Sequence, residues 1–155
     1  MRIVGLDHVV LRCRNLEEML HFYVEVLGCC VARSNKPLGL IHLKAGTALI
    51  DLVDVNGELG RAGGTPPSRD GHNMDHFCLR IEPFEPQRLR ERFRRHGIEL
   101  SEIHNNYGAE GYGWAFYLSD PEGNRVELKG PSVDNPSEVE ETGGDAPDST
   151  LEQGS

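Results

Sequence analysis

No run of apolar residues approaches the ~18 that a membrane-spanning helix needs, and Asp7 breaks the first apolar stretch, Ile3-Val4-Gly5-Leu6, before a leader-like segment can form. Both absences point to a cytoplasmic protein. Cysteine is scarce: Cys29 and Cys30 are adjacent, Cys13 and Cys78 are isolated, and there is no Cys-x-x-Cys. That spacing does not suggest a disulfide framework, and reads as reduced thiols without assigned chemistry. Lysine and arginine are missing altogether from residues 131–155, where seven acids stand (Asp134, Glu138, Glu140, Glu141, Asp145, Asp148, Glu152). With only Val133, Val139 and Leu151 as sizeable apolar groups, this stretch cannot offset its ordering entropy and reads as a flexible acidic tail. Most of the chain's net charge of −9 sits there; residues 1–130 carry 16 basic and 18 acidic groups, a net of −2. A near-neutral body gives no electrostatic reason to bind nucleic acid or a membrane surface.

What is present is enough for one domain with a real core: 155 residues, 37% hydrophobic and 26% charged. The dominant feature is an internal repeat. Residues 7–28, DHVVLRCRNLEEMLHFYVEVLG, and residues 75–97, DHFCLRIEPFEPQRLRERFRRHG, both open on Asp-His. Each continues as a short apolar strand with Leu-Arg at the same offset (Leu11-Arg12, Leu79-Arg80) and runs into a helix closed by glycine (Gly28, Gly97). Asn15 with Glu18 reads as an N-cap and capping box, followed by an apolar stripe at Leu16, Met19, Leu20, Tyr23 and Val26-Leu27. In the second copy Pro86 suits the first turn, and Leu89 and Phe93 form the stripe. Arg88, Arg90, Arg92, Arg94 and Arg95 on that helix read as a solvated face.

Three strand-like runs follow each helix: Cys29–Arg33, Leu38–Lys44 and Thr47–Asp54, then Ile98–Ile103, Trp114–Ser119 and Arg125–Lys129. The expected architecture is therefore α+β, two βαβββ modules over residues 3–55 and 74–130. A Gly/Pro-rich linker spans 56–73, the domain covers 1–130 and the tail 131–155.

Strand side chains alternate, so parity sorts the faces. His8 shares a face with Leu6, Val10 and Arg12; Asp51 with Leu49 and Val53; His76 with Cys78 and Arg80; Glu127 with Arg125 and Lys129. Two imidazoles and two carboxylates, one pair per module, could converge on one cation, and nitrogen and oxygen donors suit Zn, Ni, Co, Fe or Mn. Singly each residue is weak evidence, since a strand histidine is ordinarily structural. The duplication raises the odds. His21, His42, His72, His96 and His104 receive no role at this level.

The motifs LDHVVLR, FYVEVLG, DHFCLR and FYLSDPEGNRVEL resemble the vicinal oxygen chelate superfamily (glyoxalase I, extradiol dioxygenases, fosfomycin-modifying and bleomycin-binding proteins) across about residues 3–130. The resemblance implies a cupped mixed sheet with helices outside, a divalent metal at positions matching His8, Asp51, His76 and Glu127, and a homodimer. Bacterial glyoxalase I has glutamate where Asp51 stands, so the resemblance implies a shorter acid there. It further implies a metal-dependent lyase acting on a small molecule through adjacent oxygens, with Glu127 as preferred base, Asp51 assisting, and Arg12 and Tyr117 near the substrate. Glutathione is the co-substrate in glyoxalases, but Asn105 to Gly113 lacks the basic residues that hold its carboxylates. The alternatives are an Fe(II) extradiol-type dioxygenase on His8, His76 and Glu127, or a metal-free drug-binding protein.

Overall fold

The structure, a computed structural model, describes residues 1–133; the flexible-tail expectation falls on residues beyond these, apart from its first three positions. The first module runs β1 (His8–Cys13), α1 (Leu16–His21), β2 (Cys30–Asn35), β3 (Leu40–Ala45) and β4 (Ala48–Asp54). A short helix α2 (Glu58–Ala62) lies within the stretch read as linker. The second module runs β5 (His76–Arg80), α3 (Pro86–Arg95), β6 (His104–Gly108), β7 (Gly111–Ser119) and β8 (Arg125–Lys129). The strand orders are β1-β4-β3-β2 and β5-β8-β7-β6, with β1–β4 and β5–β8 parallel and the remaining pairs antiparallel. The duplicated βαβββ pattern is therefore a duplicated sheet, and β1 and β5 each end a sheet with one edge open.

Alternation decides which face is covered. Leu11 and Cys13 of β1 and Ile50 and Leu52 of β4 are buried beneath Met19, Phe22 and Tyr23 of the first helix. In the second sheet Phe116, Val126 and Leu128 are buried with Phe93 of α3. One continuous core joins both modules, and each large side chain in it contributes about 1.5–3 kcal/mol by leaving water. After His21 the helix widens into a π turn over Phe22–Val26, so that Phe22, Tyr23 and Val26 all reach the core.

Polar ties between modules reinforce this. The buried Tyr23 hydroxyl donates to Asp120 Oδ2 at 2.9 Å. Asn15 caps the helix as expected, its Oδ1 accepting Glu18 N–H at 3.2 Å. Its own N–H, however, donates to Glu122 Oε1 of the other module at 2.7 Å, as does that of Arg14 at 2.5 Å. The reciprocal bond expected from Glu18 thus comes from Glu122, 107 residues away in sequence.

Two further expectations are corrected. The sixth strand is not Ile98–Ile103 but His104–Gly108, because the segment Asn105 to Gly113 closes a tight hairpin around Ala109-Glu110, with Gly111 in the left-handed region at φ +109°. Nor are all five arginines of α3 solvated. Arg92 clamps the Val26 carbonyl at 2.7 Å, and Arg90 lies 4.7 Å over the Phe116 ring while bonding the Ser101 carbonyl. Among the described residues no helix is long and apolar enough to cross a membrane.

Candidate functional site

On the face of the first sheet opposite its helix, strand register sets Val10 beside Asp51 and Asp51 beside His42, with His8 two residues before Val10. On the second, Cys78 and Tyr117 flank Glu127, with His76 two residues before Cys78. The parity reading of both faces therefore holds in space.

The Asp-His that opens each module has a local function. Asp7 Oδ1 lies 2.7 Å from His8 Nδ1, and Asp75 hydrogen-bonds His76 Nδ1 in the same way. A carboxylate on Nδ1 fixes the imidazole and leaves Nε2 as the outward nitrogen. The Asp7 hydrogen bond, with a smaller push from Asp51, raises the His8 pKa. Reciprocally, the His76 hydrogen bond lowers the Asp75 pKa.

Glu127 is 5% exposed, and its Oε2 is 3.5 Å from His76 Nε2. Oε1 accepts the Asn106 amide at 2.9 Å, and the same amide donates to the Tyr117 hydroxyl at 2.8 Å. Tyr117 is covered by the Arg125 guanidinium 4.0 Å above its ring, and burial followed by the Glu127 charge raises its pKa. Asn106 was missed by sequence reasoning; the signal was the two-residue hairpin, which places it opposite Gly113 on the Glu127 face.

Asp51 is likewise 5% exposed, and its Oδ1 is 2.8 Å from His42 Nδ1. Arg12 is turned to the linker: its guanidinium donates to the carbonyls of Gly60, Gly64 and Thr65. It closes α2 and the segment beyond rather than facing open space.

The donor chemistry suits a divalent cation. Asp51 and Glu127 are buried carboxylates whose only ion-pair partners among the described residues are histidines, with neither lysine nor arginine to neutralise them. Yet among those residues no three His, Cys, Asp or Glu side chains converge closely enough to hold an ion. The imidazole–carboxylate pairs on these faces are His42 with Asp51 and His76 with Glu127.

This duplicated fold, with its paired imidazole–carboxylate faces, defines a two-module α+β protein with a cupped polar surface. The chain belongs to the Glyoxalase/Bleomycin resistance protein/Dioxygenase superfamily, whose description matches residues 5–128. An integron cassette protein from the mobile metagenome of V. cholerae is 24% identical, with TM-score 0.69 over 85% of this chain and 98% of its own. A lactoylglutathione lyase from Agrobacterium tumefaciens is 26% identical, with TM-score 0.62 over 83% and 95%. The fosfomycin resistance protein FosX from Mesorhizobium loti shares the fold at 16% identity, with TM-score 0.60 over 85% and 96%. No curated protein sequence matches significantly.

Proposed function

We propose that the protein is a divalent-metal-dependent lyase or isomerase of glyoxalase type, working as a homodimer in which each site combines the first half-site of one copy with the second half-site of the other. The observation that carries this reading is the pair of buried carboxylates, each beside an imidazole and lacking a lysine or arginine counter-charge. The open edges of β1 and β5, with Ile3, Val4, Leu6 and Val10 exposed beside the first, support the dimer. The similarity to a lactoylglutathione lyase supports the chemistry.

His8, His76, Glu127 and the Asp51 region would hold the ion, which when bound polarises adjacent substrate oxygens and eases removal of a proton from the neighbouring carbon. Glu127 would move that proton. Asn106 fixes Oε1, and burial denies the carboxylate competing water, so Oε2, beside His76 Nε2, would be the basic atom. Tyr117 and Arg125 form the wall beside it. Glutathione is not part of this reading, because the basic groups nearest the β6–β7 hairpin are taken: Arg80 by Glu110 and Lys129 by the Gly111 carbonyl.

The test is metal analysis of untagged protein, followed by thermal shifts with Ni, Zn, Co, Mn and Fe(II). Assays then compare proton transfer in α-hydroxy-carbonyl compounds, with and without glutathione, against ring-opening of catechols. Metal near one equivalent per chain with glutathione-independent isomerisation supports the reading. Catechol cleavage with Fe(II) replaces it with the dioxygenase, and absence of any bound metal replaces it with a binding protein.

A further inference from the structure

We propose that Arg80 and Lys129 form an anion-recognition subsite of the cup, so that the substrate carries a carboxylate, and that Glu110 of the β6–β7 hairpin is the internal carboxylate such a substrate displaces. The inference rests on the reading of Glu127 as the group that works on the substrate, and it names the class to which that substrate belongs.

Strand register sets Arg80 of β5 directly beside Lys129 of β8. Neighbouring strands lie ~4.8 Å apart, and two like charges side by side on one face repel until an anion is shared between them. Both cations share the face of Glu127 and line with it a cleft of about 1110 Å³. Arg80 is half exposed, whereas Lys129 is buried. The Lys129 stem passes over β7 and β6, where Gly113 and Gly108 leave it room: a Cβ at Gly113 would fall 2.7 Å from Nζ, and one at Gly108 3.1 Å from Cε. Its charge is felt inside the cleft. Burial and then the Glu127 charge push the Cys78 thiol up, and the Lys129 charge opposes them.

The partners of this pair do not match its charge. Among the described residues Glu110 is the only carboxylate in ion-pair contact with either cation, and it takes Arg80. Lys129 donates to the Gly111 carbonyl at 3.0 Å, a neutral partner for one of its three N–H groups. Two positive charges therefore share one negative charge, and a buried ammonium without a counter-charge is costly. Both partners come from the tip of one hairpin, Ala109-Glu110-Gly111, and the Arg80–Glu110 pair is half exposed at both ends, so it is held weakly. A ligand carboxylate that displaces Glu110 gains a two-pronged bond to Arg80 and the spare donors of Lys129. The pair accepts one carboxylate, which excludes glutathione with its two and selects a small hydroxy-keto acid. The strand rise sets the cations ~6.6 Å along from Glu127, so a short carbon chain separates the acid group from the reacting carbon.

The experiment is titration of the full chain with levulinate, a keto acid, and with its neutral methyl ester, read by calorimetry and amide chemical shifts. The variants are Arg80→Gln, Lys129→Gln and Glu110→Gln, each with a thermal melt. Wild type is expected to bind levulinate at least ~10-fold more tightly than the ester, and Arg80→Gln to lose at least ~10-fold. Glu110→Gln is expected to bind levulinate ~2–5-fold more tightly, because the internal competitor is gone. That gain is the signature: removing a carboxylate that served only the fold would leave affinity equal or lower. Arg80 is exposed, so its variant keeps the test decisive if Lys129→Gln fails to fold. Equal binding of acid and ester by wild type, or no tighter binding by Glu110→Gln, would overturn the proposal. Neither metal content nor turnover enters this readout. The expected binding pattern in a chain that moves no proton in α-hydroxy-carbonyl compounds upholds the anion subsite and removes the proposed reaction, whereas turnover of neutral compounds without that pattern overturns the subsite and leaves the reaction.

Discussion

If each site is built from two chains, two defective chains can repair one another. His8→Ala damages the first half-site, and His76→Ala damages the second. Each variant alone forms dimers in which both sites lack one imidazole. Mix the two, allow subunits to exchange, and random pairing makes about half of all dimers mixed. In a mixed dimer one site receives both lesions and the other receives neither, because the intact His8 and the intact His76 lie on different chains and meet there. About one quarter of all sites should therefore recover wild-type affinity. The readout is Co(II) or Zn retained against a chelator that strips each parent variant. Wild-type protein taken through the same exchange serves as the control for damage. A mixture that retains no more metal than its parents, while the control keeps its full complement, would refute the shared site. Geometry motivates the experiment: no three donors converge within the described residues of one chain, although Glu127 stands beside His76 and Asp51 is buried two residues along the neighbouring strand from the partner of His8.

Three further outcomes are expected. Tyr23→Phe removes the hydroxyl that ties the first helix to Asp120; because Asn124 Nδ2 still serves the same oxygen, the loss should be ~1–2 kcal/mol, seen as a melting point lower by several degrees with metal content unchanged. Partial desolvation, then the charge and hydrogen bond of Glu127, push the Cys78 thiol up to about 11 although it stands at the surface. Its alkylation at pH 8 should therefore be on the order of a hundredfold slower than that of an ordinary thiol, should rise with pH as the thiolate forms, and should quicken in Glu127→Gln. Mass-spectrometric mapping of the modified cysteines reads this directly, and a fast Cys78 in wild type would contradict it. Ending the chain after Val133 should move the melting point by no more than ~1 °C, since the removed residues hold little apolar area. Ending it after Gly130 also deletes the Val133 N–H bond to the Tyr112 carbonyl and should cost measurably more.

The parts of this protein that follow from local pattern were legible in its sequence. Parity alone put His8, Asp51, His76 and Glu127 on the uncovered faces, and the Asp-His repeat located both module starts. The Asn15 cap was readable for the same reason: its bond to Glu18 spans three residues. The parts that depend on register or on the neighbouring module were not. Ala45 and Ala48 close β3 and β4 across two residues, which sets His42 opposite Asp51, but that pairing emerges only once the turn is known to be that tight. Asn106 was hidden because a segment rich in Asn and Gly reads as loop while its strand is defined by β7. Glu122 reaching Arg14 and Asn15, and Tyr23 reaching Asp120, require the first helix to lie against the β7–β8 turn, a placement no local signal encodes.

The location of the proposed half-sites also bears on how they would join. In each sheet the proposed donors lie on the last strand and its immediate neighbour: His8 on β1 and Asp51 on β4, His76 on β5 and Glu127 on β8. Neither β1 nor β5 has a strand partner on its outer edge, although Asn73 bonds the Arg12 N–H and C=O at the far end of β1, and such edges are normally covered or used. An edge-to-edge union of β1 from one copy with β5 from another would set the two histidines about one strand spacing of ~4.8 Å apart, with each carboxylate one spacing further out. The same union would cover Val10 and the exposed Ile3, Val4 and Leu6. Within one chain the shared core and the Tyr23–Asp120 and Arg92–Val26 ties hold the modules by their helical sides, which leaves β5 and the His8–Val10 part of β1 without a strand partner on the outer edge. Under the proposed function, burying the exposed apolar edge and completing the donor set would be a single event. Dimer dissociation and metal release should therefore show the same protein-concentration dependence, and metal held equally well by diluted monomer would separate them.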